Sequence, residues 1–124
     1  MTKSLLIVDD NPENLKLILM ILATGGYELV TAADALQALR AIEARLPDLI
    51  LLDLQLPGMD GLELTRRLRA TPATKNVPIV AVTAYAMKGD ENKARDAGCD
   101  GYLVKPIDKR LLRETVKQYL ESTV

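Results

Sequence analysis

The sequence predicts a doubly wound α/β domain: a five-stranded parallel sheet in the order 2-1-3-4-5, with five helices on its two faces. Three observations predict it. Short apolar runs alternate five times with helix-like segments, the pattern of a parallel sheet with crossover helices. Three of those runs, residues 5–8, 50–52 and 79–82, are apolar throughout, as strands buried on both faces are; the other two are mixed or very short. Finally, 124 residues that are 48% hydrophobic and 27% charged have the size and composition of one packed core.

Each element has a local reason. The first strand, 5–8, leads through Asp9-Asp10 to Asn11, which can cap a helix with Pro12 in its first turn and an end near Gly25-Gly26. Residues 27–31 contain Glu28 and alternate in polarity, so they read as an edge strand. A second helix over 34–45 places Ala35, Leu36, Leu39 and Ile42 at helical spacing. After the third strand, 50–52, Asp60 with Glu63 three residues on forms a capping box for the third helix. Following the fourth strand, 79–82, the segment 87–97 predicts a weakly anchored fourth helix, whose apolar residues besides Met87 are Ala94 and Ala97 and whose start is weakened by Gly89. Residues 102–104 make the other edge strand. Asp108 then caps a last helix with Leu111, Leu112, Val116 and Leu120 at helical spacing. Three inner and two edge strands fit the order 2-1-3-4-5. Because the last helix ends close to Val124, residues 1–124 are expected to be a single domain with no output domain after it.

Composition excludes several functions. Sixteen Lys plus Arg against 17 Asp plus Glu give a net charge of −1, so no global positive field draws in nucleic acid or an anionic membrane. No apolar run approaches the ~18–20 residues that span a bilayer, and no signal peptide is visible. The absence of His removes imidazole metal sites and imidazole acid–base catalysis. A lone Cys99 makes no intrachain disulfide and reads as an inert small residue. A cytoplasmic location fits best. The cations of Arg66, Arg67 and Arg69, and of Lys109, Arg110, Arg113 and Lys117, read as solvated helix faces.

The strand ends carry the chemistry. In an open parallel sheet, functional groups collect beyond the carboxyl ends of the strands, near the point where strand order reverses. Here the first strand runs into Asp9-Asp10, the third into Asp53, the fourth into Thr83 and the fifth into Lys105-Pro106. Strands one and three are neighbours in this order, so three carboxylates converge. Two carboxylates ~5 Å apart repel by roughly 3 kcal/mol at an effective dielectric of ~20. Protonation of one acid relieves that repulsion; a hard divalent cation relieves it without removing charge, and Mg²⁺ is the natural candidate. With Lys105 as a point charge and Thr83 as a hydroxyl donor, the cation leaves room for a phosphoryl group. The nucleophile of such a pocket must be a carboxylate, because His is absent and Cys99 has no base nearby in sequence.

The conjunction resembles the response-regulator receiver family of the CheY-like superfamily, in its stand-alone, single-domain type. The resemblance covers essentially the whole chain. It rests on Leu6-Ile7-Val8-Asp9-Asp10-Asn11, on Asp48-Leu49-Ile50-Leu51-Leu52-Asp53-Leu54-Gln55-Leu56-Pro57-Gly58-Met59-Asp60-Gly61, on Ala81-Val82-Thr83-Ala84, and on Gly101-Tyr102-Leu103-Val104-Lys105-Pro106-Ile107. It implies that Asp53 is the phosphoacceptor and that Asp10, Asp53 and the backbone carbonyl of Gln55 hold Mg²⁺, with Asp9 acting partly through water. It also implies that Lys105 pairs with the phosphoryl group, that Thr83 and Ala84 close on it, and that Tyr102 changes rotamer. The Lys105-Pro106 bond is expected to be cis. Gln55 and Tyr85 stand where the family tunes the lifetime of the acyl phosphate, and Tyr85 is expected to shield it from water.

The phosphodonor implied is a histidine kinase or a histidine phosphotransfer protein, and the output a separate downstream protein, with the chain a monomer or a phosphorylation-dependent dimer. A receiver excised from a hybrid histidine kinase is the alternative. On the first helix, Ile18 facing the sheet turns Met20 outward with Leu17 on the flank, so these two are expected to form a docking patch near the active-site end. Three competing readings fare worse. A flavin or dinucleotide site needs a phosphate-cradling loop where Asp9-Asp10-Asn11-Pro12 stands, and an aspartyl phosphatase needs a second acid that Asp53-Leu54-Gln55 lacks. A scaffold that is never phosphorylated is disfavoured by the intact pocket.

Overall fold

The computed structural model describes residues 2–84 and 89–121. Its elements run β1 (Ser4–Val8), α1 (Pro12–Leu22), a 3₁₀ turn (Ala23–Gly25), β2 (Glu28–Ala32), α2 (Ala35–Ala44), β3 (Leu49–Leu52), α3 (Gly61–Ala70), β4 (Ile79–Thr83), α4 (Asp90–Ala97), β5 (Gly101–Val104) and α5 (Lys109–Glu121). All strand pairs are parallel and the order is β2-β1-β3-β4-β5, as the sequence predicts.

Strand periodicity divides the core in two. Leu6, Val8, Ile50, Leu52, Ile79 and Ala81 face α2, α3 and α4; Leu5, Ile7, Leu49, Leu51, Val80 and Val82 face α1 and α5. That is why β1, β3 and β4 are buried at every position. The predicted caps are present: Asn11 Oδ1 accepts from Glu13 N and Asn14 N, Asp60 Oδ1 from Glu63 N, and Asp108 Oδ1 from Leu111 N; Asp34 Oδ1, accepting from Gln37 N, caps α2 as well.

Several expectations change. The first helix gives way to a 3₁₀ turn after Leu22, and Gly26 closes it in the left-handed region at φ 76°. In α2 the stripe against the sheet is Ala35 and Ala38, with Leu39 and Ile42 beside them, which leaves Leu36 57% exposed. In α5 the inward stripe is Leu112, Val116 and Leu120, so Leu111, one residue and about 100° away, is exposed. Within the described residues α4 begins at Asp90, behind Gly89 at φ 93°; Met87, expected in that helix, lies outside them.

Arg69 is also not a solvated cation. Its Nε donates to Gly98 O (2.9 Å), Nη1 to Val77 O (2.7 Å), Lys75 O (3.1 Å) and Thr74 O (3.4 Å), and Nη2 to Asp100 Oδ2 (2.7 Å). Arg113, read likewise as solvated, donates through Nε to Ile21 O at 3.3 Å, near the end of α1.

Candidate functional site

Strand register builds the site. Val8 pairs with Leu52, so the next residue on each strand, Asp9 and Asp53, emerges side by side, and Asp53 N donates to Val8 O at 2.8 Å. Thr83 pairs with Val104, and Lys105 N donates to Thr83 O at 2.9 Å, which carries the Lys105 side chain over the same edge. Its Nζ lies 2.8 Å from Asp9 Oδ2 and 3.0 Å from Asp53 Oδ2. Asp9 and Asp53 are 2% and 4% exposed, whereas Asp10 is open to solvent.

Backbone N–H groups orient both buried carboxylates. Asn11 N donates to Asp9 Oδ1 (2.9 Å) and Gln55 N to Asp53 Oδ1 (2.9 Å), an i to i+2 turn in each case. Each acid therefore presents Oδ1 to its own loop and Oδ2 to Lys105.

The donor set suits a hard cation. One carboxylate oxygen each from Asp9, Asp10 and Asp53 lies within 4.8 Å of the others, the one such cluster among the described residues. Three carboxylates share the site with one ammonium, which contacts Asp9 and Asp53, so the ionised cluster keeps a surplus of negative charge. All-oxygen ligands with an exposed member match Mg²⁺, which retains several waters.

Titration follows from burial. Burial holds the Asp53 carboxyl above its ordinary 3.8, outweighing the Gln55 N–H and the Lys105 ammonium, which favour the anion; Asp9 adds to the rise. For Lys105, burial works against the ammonium, but the hydrogen bonds to Asp9 and Asp53 prevail and raise its pKa above 10.5. An acid whose pKa is raised on folding contributes stability that is complete below its unfolded pKa and is lost as pH rises through the folded one. The Lys105 contribution is complete below 10.5 and is lost only above that value. Mg²⁺ should therefore raise the thermal midpoint little while Asp53 is protonated and progressively more as pH climbs through its titration. Melts from about pH 4 to 7, with Mg²⁺ and with chelator, check this; an increment independent of pH contradicts it.

The remaining predicted residues fall into place around this edge. Thr83 is fully buried at the end of β4, and Ala84 after it is exposed. Tyr102 is half-buried on β5 against the core beneath α2, α3 and α4; burial, then Asp90 and Glu91 of α4, push its hydroxyl up. The Lys105-Pro106 peptide is cis. Gln55 lines an open cleft of about 520 Å³ beside the acids, with Asp10, Pro57, Asp60 and Lys93 among its walls. Tyr85 lies outside the described residues. Cys99 is buried, its thiol pushed up by burial and its Sγ 3.7 Å from Thr65 Oγ1.

The expected docking patch is displaced. Met20 is 66% exposed and Leu17 37%, but α1 runs back along the sheet from Pro12. At 1.5 Å per residue, Met20 sits about 12 Å along the helix from Pro12. It is therefore toward the far edge of the sheet, not near the acids. Sequence reading missed the N–H groups of Asn11 and Gln55 as orienting donors. An acid followed two residues later by a polar residue in a loop is the signal for them.

Three comparisons bear on the site. Residues 5–117 match the family model described as the response regulator receiver domain. The polar-differentiation response regulator DivK of Brucella ovis is 45% identical over 120 residues, covering 97% of this chain and 98% of that one. Among solved structures, Vibrio cholerae chemotaxis protein CheY4 superposes with a TM-score of 0.90 at 29% identity, covering 97% of this chain and 100% of that one. The receiver domain of sensor histidine kinase PA1611 from Pseudomonas aeruginosa, whose active-site cleft coordinates a magnesium ion, does so with a TM-score of 0.88 at 37% identity, covering 98% and 100%.

Proposed function

The chain belongs to the response regulator receiver domain family, and from that premise we propose that it takes a phosphoryl group onto Asp53 and thereby switches a separate downstream protein. The donor in this reading is a phosphohistidine of a histidine kinase or a histidine phosphotransfer protein, and the compartment is the cytoplasm. The observation that carries it is the Lys105 ammonium between Asp9 Oδ2 and Asp53 Oδ2, with Asp10 completing the carboxylate cluster.

Asp10, Asp53 and the backbone carbonyl of Gln55 would hold Mg²⁺, with Asp9 partly through water. Bound there, the cation supplies positive charge that offsets the carboxylates and polarises a phosphoryl oxygen. The chain's own groups do the rest. A carboxylate oxygen of Asp53 attacks phosphorus, the O–P bond forms as the P–N bond breaks, and the electron pair leaves with the imidazole nitrogen. The Gln55 N–H holds Oδ1 so that the carboxylate cannot rotate freely. Lys105, already on Oδ2, follows the charge onto the phosphoryl oxygens, and Thr83 hydrogen-bonds them after transfer.

Acetyl phosphate with Mg²⁺ supplies a partner-free test: the expected product carries one added phosphoryl group, removed by hydroxylamine and mapped to Asp53. A chain that stays unmodified, or is modified elsewhere, refutes the assignment.

The switch is assigned to α4 and Tyr102. α4 buries nothing larger than two alanines, Ala94 and Ala97, whereas every other α-helix packs leucine or isoleucine side chains on the core, and Gly89 offers no side-chain cap, so burial anchors α4 weakly. Amide exchange across Asp90–Ala97 is expected to be faster than in α1 or α5 and to change on phosphorylation. Exchange that is slow and unaltered removes α4 from the mechanism. In the same reading Gln55, exposed two residues beyond Asp53, would tune the lifetime of the acyl phosphate.

A further inference from the structure

Gly61 opens α3, the first turn of a helix, where glycine is among the poorest residues. What it provides is a close approach. A Cβ built there would lie 2.5 Å from Leu54 Cα and 2.7 Å from Asp53 O, with Leu54 Cδ2 at 3.0 Å. The first two are backbone atoms of the loop that carries the phosphoacceptor. They cannot swing aside as a flexible side chain can. The approach is used, because Gly61 N donates to Leu54 O at 3.0 Å.

Leu54 C=O and Gln55 N–H belong to one planar peptide unit, so they turn together. Its carbonyl end is fixed by Gly61, and its N–H end is the donor that holds Asp53 Oδ1 at 2.9 Å. We infer that Gly61 is a positioning residue for Asp53, acting through the Leu54–Gln55 peptide plane. Any side chain at position 61 pushes α3 off the loop and frees that plane to rotate. The Gln55 N–H then leaves the carboxylate, and the Gln55 carbonyl moves with the loop. The inference concerns the same site and rests on the phosphoacceptor reading only for its consequences in Mg²⁺ binding and phosphorylation.

The comparison is Gly61→Ala against Thr65→Val. The latter breaks the Thr65 Oγ1 to Gly61 O bond of 2.8 Å and weakens the same helix without inserting an atom between α3 and Asp53. In Gly61→Ala the Gln55 amide is expected to lose exchange protection, Mg²⁺ affinity to fall about tenfold, and the rate of phosphorylation by saturating acetyl phosphate to fall by at least as much. In Thr65→Val all three stay within about twofold of the unmodified protein, although the melting point drops. Gln55 protection and Mg²⁺ affinity that are unchanged in Gly61→Ala overturn the inference.

The Gln55 amide separates this from the broader reading. Its loss in Gly61→Ala supports the peptide-plane coupling even where Mg²⁺ binding or acetyl-phosphate modification fails in every variant. If Gly61→Ala does not fold, the unmodified protein still decides: the Gly61 and Gln55 amides should open with the same free energy. A Gln55 amide that stays protected while Gly61 exchanges freely refutes the coupling.

Discussion

Asp53→Asn should abolish phosphoryl incorporation from acetyl phosphate and, in the absence of divalent cation, make the protein more stable. The two effects have one cause. Asp53 is 4% exposed, and burial outweighs the Gln55 N–H and Lys105 in setting its pKa, so the ionised form is held at a cost at neutral pH. An amide removes that charge while its oxygen still accepts from Gln55 N, and Lys105 keeps Asp9 as partner. The gain is read as a higher denaturation midpoint for Asp53→Asn in chelator. Lys105→Met has the opposite sign. It strands two buried carboxylates without their shared cation, which costs about 3 kcal/mol. Mg²⁺ then recovers more stability in Lys105→Met than in the unmodified protein, and least in Asp53→Asn. Chemical denaturation of the three proteins in chelator and in Mg²⁺ gives the ranking. A less stable Asp53→Asn in chelator sinks the claim that the buried Asp53 charge is held at a cost.

In the proposed reading, function works against stability: the carboxylate that would attack phosphorus is a buried charge among like charges at the end of a well-packed sheet. The packing of β1, β3 and β4 is what tolerates it, because their apolar runs bury the strands that carry Asp9, Asp53 and Thr83 on both faces.

That layout is why so much was legible in advance. A strand buried on both faces writes itself as an uninterrupted apolar run, and the first polar residue after it marks the carboxyl edge of the sheet. Hence Asp9, Asp53, Thr83 and Lys105 could be placed on one edge from the order of the strands alone. Caps were legible for a similar reason, since Asn11, Asp60 and Asp108 act within three residues of themselves. What depends on helix rotation was read less well. Leu36 and Leu111 sit one residue from the inward stripe, and an alanine face in α2 gave no strong hydrophobic signal to fix the angle. Met20 was rotated correctly and placed at the wrong end of its helix, because helical periodicity specifies a face and not a height. Gly61 and Arg69 act across elements, through a missing atom and through five carbonyl and carboxylate contacts, and no local pattern encodes either.

Arg69→Ala is expected to give the largest loss of stability of any single change on a helix surface. The Arg69 side chain is 21% exposed, and its guanidinium ties four parts of the fold: the last turn of α3, the loop into β4, the end of α4 at Gly98, and Asp100 just before β5. Gly98 is shaped to it, since φ is +119° and a Cβ there would meet Arg69 Cγ at 2.5 Å. Asp100 Oδ2 also accepts from Ile79 N at 2.9 Å, so the same carboxylate joins the start of β4 to the start of β5. Truncation removes donors from Val77 O and Gly98 O and leaves Asp100 without its cation. The expected cost is about 3 kcal/mol, or a midpoint lower by roughly 10 °C. Lysine does not restore it, because one ammonium cannot reproduce a fork that reaches Gly98, Val77 and Asp100 at once. Arg67, two residues earlier, is the control. Its 3.5 Å pair with Glu63 is solvent-exposed, and Arg67→Ala should shift stability by no more than ~0.5 kcal/mol. If Arg69→Ala melts within a degree or two of Arg67→Ala, the guanidinium is not the tie that holds the ends of β4 and β5, the strands that deliver Thr83 and Lys105 to the site.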